Sequence, residues 1–114
     1  KTLSIWRFPK ILILHLKRYT QLPNGSYIRN NCKVDFSPEL LFKEKNNNSS
    51  NNLTYELKSI VNHFGNNPLG GHYTSIVKCE DSDDWLHIDD SSIYKCSKDQ
   101  IISDAAYILI YNLA

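Results

Sequence analysis

Apolar positions in this chain fall in short runs, mostly alternating with polar ones and punctuated by turn residues, which is the spacing of strands. Ile11-Leu12-Ile13-Leu14 is apolar without interruption, so it reads as strand buried on both faces. His15-Leu16-Lys17-Arg18-Tyr19 then begins to alternate, which predicts one strand over Ile11–Tyr19, entered behind Pro9. Leu22-Pro23-Asn24-Gly25-Ser26 is a hairpin turn signal, and Tyr27–Phe36 is expected to return as a strand broken near Asn30-Asn31. Tyr55–His63 alternates regularly. That puts Leu57, Ser59, Val61 and His63 on one face, and Glu56, Lys58, Ile60 and Asn62 on the other.

Gly65–Gly71 is a flexible connection, followed by strands over His72–Cys79 and Trp85–Asp89 and a short one over Ile93–Cys96. Ser97 carries the one helix signal. It is an N-cap serine with Asp99 and Gln100 in the first turn, then Ile101, Ile102, Ala105 and Ala106. Tyr107–Tyr111 is a closing strand. The whole is an α+β chain: a mainly antiparallel sheet with one short helix near the C-terminus and no internal repeat.

Composition changes this picture in one place. Residues 43–52 read Lys-Glu-Lys-Asn-Asn-Asn-Ser-Ser-Asn-Asn, too polar to bury surface, so a low-complexity Asn-rich surface loop is expected. The 114 residues carry a formal net charge of +1, with no arginine-rich stripe, so neither charge nor composition points to nucleic acid. No apolar run approaches the length that spans a bilayer, and no signal-peptide pattern opens the chain. Cys32, Cys79 and Cys96 are unpaired in number and spacing. They fit reduced thiols of an intracellular protein better than a disulfide framework or a zinc site.

The candidate chemistry is Gly70-Gly71-His72-Tyr73 followed by Trp85-Leu86-His87-Ile88-Asp89-Asp90. An antiparallel pairing of strands 72–79 and 85–89 brings the start of one beside the end of the other, where a carboxylate can orient His72 as a general base. Adjacent residues point to opposite faces, so Asp89 is favoured as the orienting group and Asp90 as a second polar participant. The plain alternative is a turn histidine near a solvated acidic turn. A nucleophile is harder to find. Cys79 has the wrong parity to share a face with His72, Cys32 precedes no helix, and Cys96 is a contender only because the predicted helix follows it.

These segments also resemble a family. Phe8-Pro9-Lys10-Ile11-Leu12-Ile13-Leu14-His15-Leu16-Lys17-Arg18-Tyr19 is similar to the "LPxxLIxHLKRF" box of the ubiquitin-specific proteases, and Val34-Asp35-Phe36-Ser37 to the "VxFP" segment after it. The Tyr55–Gly65 stretch resembles "YxLxAVxxHxG", Gly70-Gly71-His72-Tyr73 the histidine box, Trp85–Ser91 "WxxFDDs", and Ala106–Tyr111 "AYxLFY". The order is the family's. The resemblance implies a papain-like cysteine peptidase fold, with residues 1–114 as the C-terminal, histidine-box half of the catalytic domain. It implies cleavage of the isopeptide bond after the last glycine of ubiquitin. His72 would be the base, Asp89 its orienting partner, and Asp90 an assistant. His63, Gly70, Gly71, Tyr73 and Tyr107 would lie along the channel for ubiquitin's tail. The family's cysteine box has no counterpart in the chain. The nucleophile is therefore expected from an N-terminal half, with ubiquitin or ubiquitinated proteins as partners, no cofactor or metal, and a cytoplasmic or nuclear setting. The alternative is a catalytically incomplete ubiquitin-binding module or pseudoenzyme.

Overall fold

The computed structural model describes residues 4–46 and 49–114. Nine strands form among the described residues: β1 (Ile11–His15), β2 (Tyr19–Gln21), β3 (Tyr27–Arg29), β4 (Glu39–Asn46), β5 (Ser49–Phe64), β6 (His72–Lys78), β7 (Trp85–Asp89), β8 (Ser92–Cys96) and β9 (Ala106–Leu113). Seven make one antiparallel sheet in the order β1-β9-β5-β6-β7-β8, with β4 also paired to β5. Residues such as Tyr55 and Ile60 pair on both sides, so β4 and β6 take successive stretches of one edge of β5, and β9 takes the other. The short β2–β3 hairpin stands apart, turned at Leu22–Ser26 with Gly25 at φ 89°. That positive angle is what the Asn24-Gly25 pair provides.

The core lies on one face. Leu57, Ile60, Ile76, Trp85, Leu109 and Tyr111 form its centre, closed over by Phe36 and Ile101. The other face carries Ile13 and Ile110 on paired β1 and β9, and Val77, Leu86, Ile88 and Ile93 across β6–β8. None of those six is buried, and Ile13 and Ile93 are 61% and 63% exposed. The apolar Ile11–Leu14 run therefore buries only Leu12 and Leu14, and only partly, instead of both faces.

Four other expectations change. The Ile11–Tyr19 strand breaks at Leu16–Arg18 into β1 and β2, where buried Arg18 donates to the carbonyls of Ala106, Asn30 and Cys32. The return strand keeps only Tyr27–Arg29. The Asn-rich tract is strand, not loop: Lys43–Asn46 pairs with Ser49–Asn52 as the end of the β4–β5 hairpin, and residues 47–48 lie outside the description. Backbone pairing continues from the apolar part of the hairpin, so this ladder needs no apolar side chains of its own. The predicted helix is a single 3₁₀ turn, Lys98–Gln100. Gln100 Oε1 does accept from the Ser97 amide at 2.8 Å, as a capped helix start requires. Ile101 then drops into the core at 1% exposure and Ala106 enters β9, so the chain is committed elsewhere after one turn.

Two bulges decide which side chains face the core on the approach to the site. Leu57 opposes Tyr111 while Ser59 opposes Ile110, leaving Lys58 as an extra residue in β5. Burial therefore runs Leu57, Ile60, Asn62 and not the regular alternation expected over Tyr55–His63. Val61 opposes Ile108 while Asn62 opposes Ala106, which makes Tyr107 the extra residue in β9. Tyr107 is turned out of the core face toward His63, with ring centroids 5.4 Å apart.

Candidate functional site

The site forms where β5 ends and β6 begins. Phe64 pairs with His72 and His63 with Tyr73, so the Gly65–Gly71 connection leaves from and returns to the same rung. The two histidines then diverge.

His63 is fully buried. Its Nε2 lies 2.7 Å from the Gly70 carbonyl, an acceptor, which places the ring proton on Nε2. Nδ1 is left to accept from the Tyr19 hydroxyl at 2.5 Å. Arg29 donates to the Tyr19 oxygen and, at 3.0 and 2.8 Å, to the carbonyls of Gly65 and His63. The Tyr19 hydroxyl is also 2.9 Å from the Gly65 carbonyl. Both ends of the connection are thus tied to His63 or its neighbours, and the segment expected to be a flexible linker is a braced loop. Tyr73 and Tyr107 flank the same ring, at 4.5 and 5.4 Å between centroids. Tyr73 is about half exposed. Burial pushes the Tyr107 hydroxyl's pKa upward, reinforced by Tyr73 and Tyr19 nearby.

The two glycines are unequal. Gly71 has φ 111°, and a Cβ there would meet the Phe64 carbonyl oxygen at 2.2 Å. No larger residue fits. A Cβ on Gly70 would meet nothing within 4 Å. Gly70 borders open space, so only Gly71 needs glycine for the backbone's sake.

His72 is exposed at the start of β6, and its Nε2 donates to Asp89 Oδ1 at 2.6 Å. The β6–β7 register, Ser75↔Ile88 through Lys78↔Trp85, brings the two ends together as the strand pairing predicted. A carboxylate only accepts, so the proton sits on Nε2 and Nδ1 keeps a free lone pair. The hydrogen bond to Asp89 raises the His72 pKa above its ordinary value, opposed by partial desolvation and helped by the charges of Asp89 and Asp90. Asp90 is next in the β7–β8 turn at φ 52°, a left-handed angle that aspartate tolerates. His72, Asp89 and Asp90 each offer a ligand atom within 4.8 Å of the others, and form the only such group of metal-ligating type among the described residues. Its shortest contact joins an N–H to a carboxylate, which holds the imidazole oriented with Nδ1 open.

The structure places no cysteine against this base. Cys96 is at the Trp85 end of the β7–β8 ladder while Asp89 is at the other, four residues or roughly 13 Å along the strand. The helix that would have activated it is absent among the described residues, and burial raises its pKa. Cys79 lies beyond the far end of β6, and Cys32 is exposed in the segment after β3. Sequence reading missed Tyr19 and Arg29 as residues of the site. Their signal is faint, since only the three-dimensional return of the β2–β3 hairpin brings them to Gly65.

The sequence profile of a family described as "Ubiquitin carboxyl-terminal hydrolase" matches residues 1–111. The chain is 36% identical to "Ubiquitin carboxyl-terminal hydrolase 9" of Arabidopsis thaliana over 97% of its own length and 12% of that protein's. It is 37% identical to "Ubiquitin carboxyl-terminal hydrolase 15" of Homo sapiens over 97% of its length and 11% of that protein's. A solved structure described as "SAGA Ubp8/Sgf11/Sus1/Sgf73 DUB module bound to ubiquitin aldehyde" is similar at a TM-score of 0.81 and 31% identity, over 93% of this chain and 25% of that one. The chain therefore spans about an eighth of these curated relatives and a quarter of the solved chain. The sheet is part of a papain-like cysteine peptidase fold.

Proposed function

Because the chain belongs to the ubiquitin carboxyl-terminal hydrolase family, we propose that it supplies the His–Asp part of a deubiquitinase active site that hydrolyses the isopeptide bond after ubiquitin's last glycine. The observation that carries this reading is the 2.6 Å bond from His72 Nε2 to Asp89 Oδ1, which leaves Nδ1 as a free base at an exposed strand end. A thiol from polypeptide outside these residues gives its proton to Nδ1 and attacks the carbonyl of the glycine. The imidazolium then protonates the departing lysine amine, and water hydrolyses the thioester. Asp89 orients the ring and stabilises the imidazolium that forms. Asp90 adds a second negative charge.

The tail of ubiquitin passes over Gly70 and Gly71, between Tyr73 and Tyr107. Open space at Gly70 suits a backbone without side chains approaching closely. His63 acts there through the loop it holds, since both of its nitrogens are engaged. The unburied apolar face of Ile13, Ile110, Val77, Leu86, Ile88 and Ile93 is further support: a surface of this kind is normally covered, here by the half that bears the nucleophile. The setting is the cytoplasm or nucleus, where thiols stay reduced.

The full-length protein is incubated with ubiquitin carrying a thiol-reactive C-terminal group, and the mass of the product is read. A single adduct on a cysteine outside residues 1–114 is expected; absence of any adduct would refute the enzyme reading and leave a binding module. His72→Ala is expected to lower kcat by about 10⁴-fold while ubiquitin still binds. An adduct on Cys96 would overturn the assignment of the nucleophile.

A further inference from the structure

Directly behind the His72–Asp89 pair, on the same face of the sheet, a second set of polar side chains crosses three strands. Asn62 on β5 is 3% exposed and Thr74 on β6 is 5% exposed. Asn62 Nδ2 donates to Thr74 Oγ1 at 3.2 Å, and Thr74 Oγ1 lies 3.4 Å from His87 Nε2 on β7. Thr74 is two residues from His72, and His87 two from Asp89, so each shares the face of its neighbour in the pair. The hydroxyl accepts from Asn62, and it shares a hydrogen bond with His87 Nε2 whose direction follows the tautomer of that ring. Below this rung Ile60, Ile76 and Trp85 are buried on the same face.

The position of these three side chains is what gives them a purpose. Backbone pairing between β6 and β7 ends at Ser75↔Ile88. Beyond that point the end of β6 is still held by β5 through Asn62↔Thr74, His63↔Tyr73 and Phe64↔His72. The end of β7 is held on its far side by β8 through Asp89↔Ser92. Two side-chain ties reach across from this end of β6 among the described residues: Thr74 back to His87, which is itself still paired with Ile76, and the His72–Asp89 bond. His87 is further fixed by Tyr94 of β8, its ring stacked at 4.8 Å between centroids and 20° between planes. The arrangement also has a cost that a purely structural rung would avoid. Asn62 Oδ1 and His87 Nδ1 are buried without partners.

We infer that Asn62, Thr74 and His87 are positioning residues for the base: by holding Thr74, the first residue of β6 past the backbone ladder, against His87 of β7, they keep the two strands from splaying there and so hold Asp89 against His72 Nε2. This rests on the reading of His72 as the base, and it assigns to that site three residues outside the reacting pair. A bond of 2.6 Å between exposed side chains would otherwise be free to open as the two strand ends, not paired to each other, splay apart. A displacement of about 1 Å at such a pair is enough to cost on the order of 100-fold in rate.

The test uses the full-length protein. Thr74→Val keeps the shape and removes the hydroxyl, and Thr74→Ser restores it. Two readouts are taken. With ubiquitin carrying a fluorogenic C-terminal amide, T74V is expected to lose about 10- to 100-fold in kcat at unchanged KM, and T74S to recover most of it. By proton NMR of histidine-labelled protein without substrate, the downfield His72 Nε2–H resonance of the Asp89 bond is expected in the parent and T74S, and broadened away in T74V. If T74V does not fold, His87→Phe decides: it keeps a ring against Tyr94, lacks Nε2, and is expected to behave as T74V should. A folded T74V, or H87F in its place, that keeps both kcat and the resonance overturns the inference. The NMR result stands even if the parent fails to cleave ubiquitin, so the two readings fail separately.

Discussion

His63 and His72 sit on neighbouring rungs of the same strand pair, yet their surroundings are opposite. His63 is sealed, with one nitrogen on Tyr19 and the other on Gly70, and it braces a loop. His72 is exposed, with one nitrogen on Asp89 and the other free. In the proposed enzyme, chemistry follows the unspent nitrogen, and architecture follows the spent ones. Sequence motifs that contain both histidines do not separate the two roles; counting hydrogen-bond capacity does.

The contrast can be broken most severely on the sealed side. Gly71→Ala adds a Cβ that would meet the Phe64 carbonyl oxygen at 2.2 Å, at a residue with φ 111°. A loss of about 3 kcal/mol or more in chemical denaturation is expected. Gly70→Ala, one residue away and facing open space, should leave stability within about 0.5 kcal/mol and instead raise KM for ubiquitin substrates. Equal destabilisation by the two would dissolve the distinction between them.

Next in size is Tyr19→Phe. It removes the donor to His63 Nδ1 and leaves Arg29 without its phenolic acceptor. A cost of about 1–3 kcal/mol is expected. Faster amide exchange in Gly65–Gly71 should accompany it, measured by mass spectrometry. Unchanged exchange would mean that the loop is held by something other than this brace.

The smallest effect is on the open side. The Asp89 bond raises the His72 pKa. Asp89→Asn removes that charge, so the imidazolium should form at lower pH, seen as an acid-ward shift of the His72 ring resonances. The sign is fixed: the bond adds stability below histidine's ordinary range and loses it as pH rises through the raised folded value. An alkaline shift would mean that Asp89 does not govern His72.

Much of this geometry was legible in the sequence, for a physical reason. The 72–78 and 85–89 strands announce themselves by alternation between glycine and aspartate punctuation, and antiparallel pairing then forces His72 beside Asp89. What stayed hidden depends on events far away in the chain. The bulges at Lys58 and Tyr107 break the parity rule without leaving a residue-type signature. Ile101 was helical by local pattern, but its burial in the core ended the helix after one turn. The Asn-rich tract has no apolar face to read, and its strands exist because a backbone ladder begun elsewhere continues through it. Tyr19 and Arg29 lie 46 and 36 residues from Gly65, and only the hairpin's docking makes them its partners.

The extra residue at Lys58 has a wider consequence. A strand carries a phase of two, and one surplus residue advances everything after it by half a cycle. Deleting that residue would therefore not shift the site by a few ångströms. It would exchange the faces offered by Ile60 through Phe64, sending Asn62 outward and His63 toward the core. Placement of the histidines is thus counted in whole residues, and the only fine adjustment left to the molecule is in the side chains.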